Sequence, residues 1–253
     1  MIRYMGVCYY PEQWCESSWK KDAAQMAALG ISFVRINEFS WSVIEPEPNN
    51  LNFEWLDKII NILGNEGLKV VLGTPTATPP SWMVKKHPDM LTVDSEGIQK
   101  THGSRRHYCF SHEGYARECD RIVELLAKRY GENPTIVAWQ TDNEYGCHNT
   151  TLSYSLSAKI QFQNWLREKF SDESKTKNGD IVALNNAWGN TFWSMNYSDF
   201  SEIELPNKTT TDANPAHYFA FKKFSAEQVL KFNKRQVAII RKFSNIYPFE
   251  IHW

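Results

Sequence analysis

Four short runs of apolar, β-branched and aromatic residues punctuate the first 142 positions: residues 2–10, ISFVRI at 31–36, KVVLGT at 69–74 and TIVAWQTD at 135–142. Apolar residues at helical spacing fill the gaps between them. Trp19, Ala23, Met26 and Leu29 share one face, with Ser17 or Ser18 as the expected cap and Gly30 as the stop. Trp55, Leu56, Ile59 and Leu63 share another, closed by Gly67. Tyr115, Cys119, Ile122, Leu126 and Tyr130 form a third between about 112 and 130. Near-continuous apolar strands alternating with helices predict parallel strands buried on both faces and joined by right-handed crossovers.

Two architectures satisfy that pattern, a doubly wound sheet and a (β/α)8 barrel. The first strand is followed by GVCYYPEQW rather than a Gly-rich phosphate loop, which disfavours a dinucleotide fold. Polar and aromatic residues instead collect just after the strands: Tyr10, Glu12 and Trp14; Asn37, Glu38 and Trp41; Thr74 and Thr76; Asn143, Glu144 and Tyr145. That is where a barrel places its active face. Beyond Glu144 the pattern turns mostly helical, with Phe162, Trp165, Leu166 and Phe170 on one helix. An exposed SDESKTKNGD stretch follows, then a helix capped by Asp180, then a long helix from about 216 to 243. Only YPFEIHW at the end reads as a fifth strand, so the expected fold is α/β, a (β/α)8 TIM barrel incomplete in this chain.

The formal charge of −1 is spread rather than clustered, giving no footprint for nucleic acid or an anionic membrane and favouring a neutral small substrate. No apolar run approaches ~20 residues and the N-terminus lacks a secretory pattern, so a cytoplasmic location is expected. Five widely spaced cysteines without a CxxC pair indicate neither a disulfide framework nor a zinc ribbon. Ten tryptophans suit a cleft that stacks on sugar rings, or equally an aromatic core.

Three stretches carry candidate chemistry. In WQTDNEYG, Glu144 ends the fourth strand, where a carboxylate can act as general acid if burial or a neighbouring charge raises its pKa, and the Asn143 amide can bond a sugar hydroxyl. The competing reading is a strand-end Asn-Glu that caps the next helix. In GSRRHYC, Arg105 or Arg106 can fork to hydroxyls or hold the catalytic carboxylate, or can form an ordinary ion pair. Arg35, Asn37 and Glu38 read as support for the site. Cys109, Cys147 and His148 fall short of the four ligands of a structural zinc site.

Taken in order, YYPEQW (9–14), VRINEFSWSVIEPE (34–47), LGTPTATPPSW (72–82), GSRRHYC (103–109), WQTDNEYGCH (139–148) and LNNAWGNTFWS (184–194) resemble the N-terminal catalytic-barrel part of glycoside hydrolase family 42 β-galactosidases. The resemblance spans nearly the whole chain, weakens after about residue 200, and makes residues 1–253 the N-terminal portion of the catalytic domain. It implies retaining hydrolysis of terminal, non-reducing β-D-galactosyl residues. Glu144 would be the acid/base, Asn143 the contact to the hydroxyl beside the anomeric carbon, and Arg105 a substrate-binding arginine. The nucleophile, near the end of the family's seventh strand, has no counterpart in this chain. Family zinc is held by a cysteine at the position of Cys109 and three more after the acid/base motif, where TTLSYSLSA places Ser153, Ser155 and Ala158. Loss of the zinc site is therefore expected, with Cys109 its remnant and no cofactor. The later strands, a trimer-forming domain and a C-terminal β domain of full-length relatives are also unmatched, and NIYPFEIHW departs from the family's continuation. The isolated chain is accordingly expected to be inactive. The alternatives are a noncatalytic galactoside-binding fragment and specificity for α-L-arabinopyranosides.

Overall fold

All four apolar runs form strands in the computed structural model, which describes residues 4–171 and 179–246 and the backbone of 248–249. They are β1 (Gly6–Cys8), β2 (Phe33–Ile36), β3 (Lys69–Gly73) and β4 (Ile136–Gln140), and β5 (Pro248–Phe249) joins β4. Every pairing is parallel, with Val34 opposite Val70 and Leu72 opposite Trp139. The sheet order is β1-β2-β3-β4-β5. A doubly wound sheet reverses direction at a switch point, whereas strands added always on the same side are consecutive units of a (β/α)8 barrel. The expected fifth strand is thus present at Pro248–Phe249; the rest of YPFEIHW, and residues 172–178 of the charged stretch, lie outside the described residues.

The helices are α1 (Glu16–Ala28), α2 (Trp41–Ile44), α3 (Glu54–Asn65), α4 (Ser81–Lys86), α5 (Glu113–Tyr130), α6 (Leu156–Lys169), α7 (Ile181–Trp188) and α8 (Pro215–Phe243). The cap of α1 differs from expectation. Cys15 occupies the N-cap without a side-chain bond to a helix N–H, and Ser18 Oγ donates to the Cys15 carbonyl at 2.9 Å. The caps of α5, α6 and α7 follow the local chemistry: His112, Ser155 and Asp180 side chains accept from Tyr115, Ala158 and Ala183 N–H groups. Gly30, at φ 80°, turns the chain out of α1 towards β2.

The buried residues form two cores. One lies between the sheet and α1, α3 and α5, where Leu56, Ile59, Ile60 and Leu63 are fully buried at about 2 kcal/mol apiece. The other gathers Cys109, Phe162, Leu166, Leu184, Phe221 and Phe224 under α6, α7 and the first half of α8. Helix α8 spans both, since Phe232 and Ile240 belong to the first core. Arg235 locks it to α5 through Asp120 and Glu113, at 2.6 and 2.8 Å. The result is a rigid floor beneath the C-terminal ends of β1 to β4.

Candidate active site

The chain leaves β4 at Gln140 and turns sharply, with Asp142 at φ 53° and Glu144 at φ 49°. Two left-handed side-chain-bearing residues so close together cost on the order of 1–3 kcal/mol each and persist only when the surroundings fix them. Asp142 supplies the fixing. Its carboxylate accepts from Thr76 Oγ1 (2.7 Å), Tyr108 OH (2.9 Å) and the Asn143 N–H (2.7 Å), while its own N–H donates to Thr74 Oγ1 (2.7 Å). Arg106 Nη2 stands 3.1 Å from Asp142 Oδ1, with both side chains wholly buried. Its approach is off the hydrogen-bonding direction, so this contact is Coulombic. From α8, Gln236 accepts from Thr74 Oγ1 (2.7 Å) and donates to Thr76 Oγ1 (3.2 Å), completing the cradle.

A second chain of contacts runs across the sheet. Glu38 Oε1 pairs with Arg35 Nε at 2.8 Å, and Arg35 Nη1 donates to Gln140 Oε1 at 2.8 Å. Gln140 Nε2 in turn donates to the Asp142 carbonyl (2.8 Å) and to Asn143 Oδ1 (3.3 Å). Arg35, Asn37 and Glu38 are therefore supports beneath the site, as their sequence position suggested. Asn37 Nδ2 binds the Gly73 carbonyl at 2.8 Å. Gly73 is required there, because a Cβ would stand 2.6 Å from Glu38 Cβ and 2.8 Å from its Cα. Burial raises the pKa of Glu38 against the pull of Arg35. Glu12, beside it, is pushed up to about 7, chiefly by burial and further by the Glu38 charge.

Glu144 lies at the rim, its side chain 20% exposed. Its Oε2 is 2.9 Å from Arg105 Nη2 and accepts from the Cys147 thiol at 3.0 Å. The guanidinium of Arg105 also sits 5.9 Å over the Phe39 ring, which stacks on Tyr10. Residues from the ends of β1, β2 and β4 and from the loop after β3 thus meet on one face. The two arginines left equivalent by sequence divide their roles: Arg105 faces Glu144 and Arg106 is buried on Asp142. Arg106 has φ 63°, which turns neighbouring side chains apart. The Cys147 thiol and then Arg105 hold the Glu144 pKa below the ordinary carboxylate value, opposite to the shift expected of a waiting acid.

Asp142, Tyr108 and Gln140 were not singled out as site residues from sequence. The available signal was the Thr74, Thr76 and Arg106 set, three polar side chains that a barrel end can bury only around a partner. Cys109 is buried in the second core against apolar neighbours. Ser155 Oγ caps α6 and Ser153 Oγ accepts from Val93 N–H at 3.3 Å, so the hydroxyls at the family's ligand positions are committed to backbone groups. One thiol, two hydroxyls and the methyl of Ala158 do not form a zinc donor set. Among the described residues no group of three or more His, Cys, Asp or Glu converges on a metal position.

A β-galactosidase family model, Glyco_hydro_42, matches residues 8–253. β-Galactosidase BgaA of a Thermus species is 48% identical over 94% of this chain, and Bga of Halorubrum lacusprofundi 43% over 94%. The chain spans 36% and 33% of their lengths. The crystal structure of a β-galactosidase from the psychrophilic Marinomonas ef1 superposes with a TM-score of 0.94 at 51% identity, covering 98% of this chain and 37% of that one. With the family model matched over residues 8–253 and the parallel strand order in accord, the chain belongs to glycoside hydrolase family 42.

Proposed function

We propose that this chain carries the acid/base half of a retaining β-galactosidase site, with Glu144 as proton donor and base and with Arg105 and Asn143 binding the galactosyl unit. The observation that carries the reading is the partly exposed Glu144 carboxylate, held by Arg105 just after the C-terminal end of β4 and next to Asn143. In the first displacement a nucleophilic carboxylate attacks the anomeric carbon, the bond to the aglycone oxygen breaks, and Glu144 protonates that oxygen. In the second, Glu144 takes a proton from the water that releases galactose. Asp142 and Glu38 are wholly buried on Arg106 and Arg35, so neither offers an oxygen for attack. The nucleophile is assigned to sequence outside the described residues.

On this reading the isolated chain binds galactosides without hydrolysing them, supported by a Glu144 that its neighbours keep ionised. The proposal also dispenses with zinc, on the strength of the committed serine hydroxyls; metal analysis of the purified protein showing stoichiometric zinc would remove that part. The fold expectation for the domain, residues 1–253 as a barrel portion, is tested by the same exchange that tests function. In a chimera, residues 8–253 replace the matching segment of the Thermus enzyme. It is expected to hydrolyse a nitrophenyl β-galactoside, and Glu144→Gln to lower kcat by about 10²–10⁴. An active chimera indifferent to Glu144→Gln would overturn the assignment. Among the described residues no helix is long and apolar enough to cross a membrane.

A further inference from the structure

The turn after Glu144 carries the Cys147 thiol back to the carboxylate. Cys147 N–H donates to the Glu144 carbonyl at 3.0 Å, closing a turn that the left-handed Glu144 begins, and this folds the thiol back onto the carboxylate. Sγ donates to Oε2 at 3.0 Å, and Arg105 Nη2 reaches the same oxygen at 2.9 Å. Thr150 Oγ1 braces the far side by donating to the Cys147 carbonyl at 3.1 Å. Two donors from different segments, the turn after β4 and the loop before α5, converge on a single carboxylate oxygen.

We propose that Cys147 is a positioning residue for Glu144: its thiol, with Arg105, fixes Oε2 as the anchored oxygen and leaves Oε1 to exchange the proton with the glycosidic oxygen. The inference rests on the acid/base reading of Glu144 and adds which oxygen works and what orients it. The charged and titratable groups facing Glu144 are Arg105 and Arg106 from the loop before α5 and Cys147 from its own turn. All three favour the carboxylate. The linkage is mutual, since the hydrogen bond to Glu144, then burial and the Glu144 charge, raise the pKa of the Cys147 thiol and keep it protonated as a donor. A thiol held in that form is a weak nucleophile although partly exposed.

Two measurements test this without any hydrolysis. Carboxyl-carbon NMR follows the titration of Glu144 in the chain and in Cys147→Ala and Cys147→Ser. The midpoint is expected to rise in the alanine variant and to return towards the parent value in the serine variant, whose hydroxyl can still donate. Equal midpoints in all three would overturn the proposal. In the reverse direction, alkylation by iodoacetamide is followed peptide by peptide. Cys147 is expected to react several-fold faster in Glu144→Gln than in the parent chain, because the charge that holds its proton has gone. The exposed Cys8 and Cys15 serve as internal references whose rates should not change. An unchanged Cys147 rate would also overturn the proposal. Neither readout depends on the chimera's activity, so a failure of the β-galactosidase reading and a failure of the Cys147 contact are separately visible.

Discussion

Replacing Arg106 by methionine tests how the strained turn under Glu144 is held. The guanidinium is wholly buried 3.1 Å from an equally buried Asp142 carboxylate, and methionine keeps much of the side-chain volume while deleting the charge. What remains is a desolvated carboxylate with three donors, Thr76 OH, Tyr108 OH and Asn143 N–H. Breaking a buried pair from one side costs about 3–5 kcal/mol. The three surviving bonds place the expected loss near the lower end, about 3 kcal/mol. Urea denaturation measures it as a midpoint shift of about 1–1.5 M, taking a slope of about 2–3 kcal/mol per molar. Asp142→Asn alone strands the arginine charge and should cost a comparable amount. The double variant Arg106→Met, Asp142→Asn should be less destabilised than the sum of the two by at least about 1 kcal/mol. Additive losses, or an Arg106→Met loss below about 1 kcal/mol, would refute a desolvated, coupled pair.

Three further perturbations have defined signs. Glu12 is held at about 7 by burial, so the folded state keeps a proton that the unfolded chain releases at its ordinary value of 4.5, and stability falls as pH rises through that window. The shift is worth about 3 kcal/mol before discounting and about 2 after allowing for solvent screening of this partly buried group. Glu12→Gln should flatten the difference between urea midpoints at about pH 5 and about pH 8. His217, stacked on Trp188 and Phe162, is depressed to about 4 by burial, so its contribution is present above 6.5 and lost as pH falls towards 4. His217→Phe should remove that part of the acid destabilisation in thermal melts between the two values. Gly73→Ala drives a methyl into the Glu38 backbone, which cannot swing away, and should lower stability by about 1–3 kcal/mol in the same urea titration.

β2 and β3 were legible as apolar runs because they are buried along most of their length, whereas β1 was expected to be buried and is exposed or half-buried at all three residues, and β4 exposes Val137. The strand boundaries were less legible. Of the first run, expected over residues 2–10, the described part from residue 4 is strand at Gly6–Cys8, where Gly6 meets Phe33; residues 2 and 3 lie outside the described residues. Helices α2 and α4, of four and six residues, hide in loops because so few turns give no repeat to read. Glu144, Asn143 and Arg105 were visible through motif resemblance, whereas Asp142 was not. A buried charge and an exposed strand-end charge look alike until the chain is folded, and only the Thr74, Thr76 and Arg106 partners distinguish them. Cys147 was weighed as a metal ligand and set aside on ligand count; its contact with Glu144 depends on a left-handed backbone at Glu144 that no residue type announces.

On the proposed acid/base reading of Glu144, its surroundings favour one of the two steps over the other. Arg105, Arg106 and the Cys147 thiol all favour ionised Glu144, which suits the base that draws a proton from water in the second displacement. The first displacement would need the same group protonated, and partial burial, which raises the Glu144 pKa, is outweighed by the thiol and the two arginines. On that reading the opposing influence would be a negative charge, which a retaining site provides in the nucleophile about 5 Å away, raising its neighbour's pKa until it is consumed as the glycosyl ester. The proton affinity of Glu144 would then rise for the acid step and fall for the base step without any movement of the turn. In the chimera this predicts a Glu144 midpoint that lies above that of the isolated chain and drops when the nucleophile is replaced by glutamine. A midpoint identical in chain and chimera would mean that the acid form is generated by the substrate itself, not by the pairing of carboxylates.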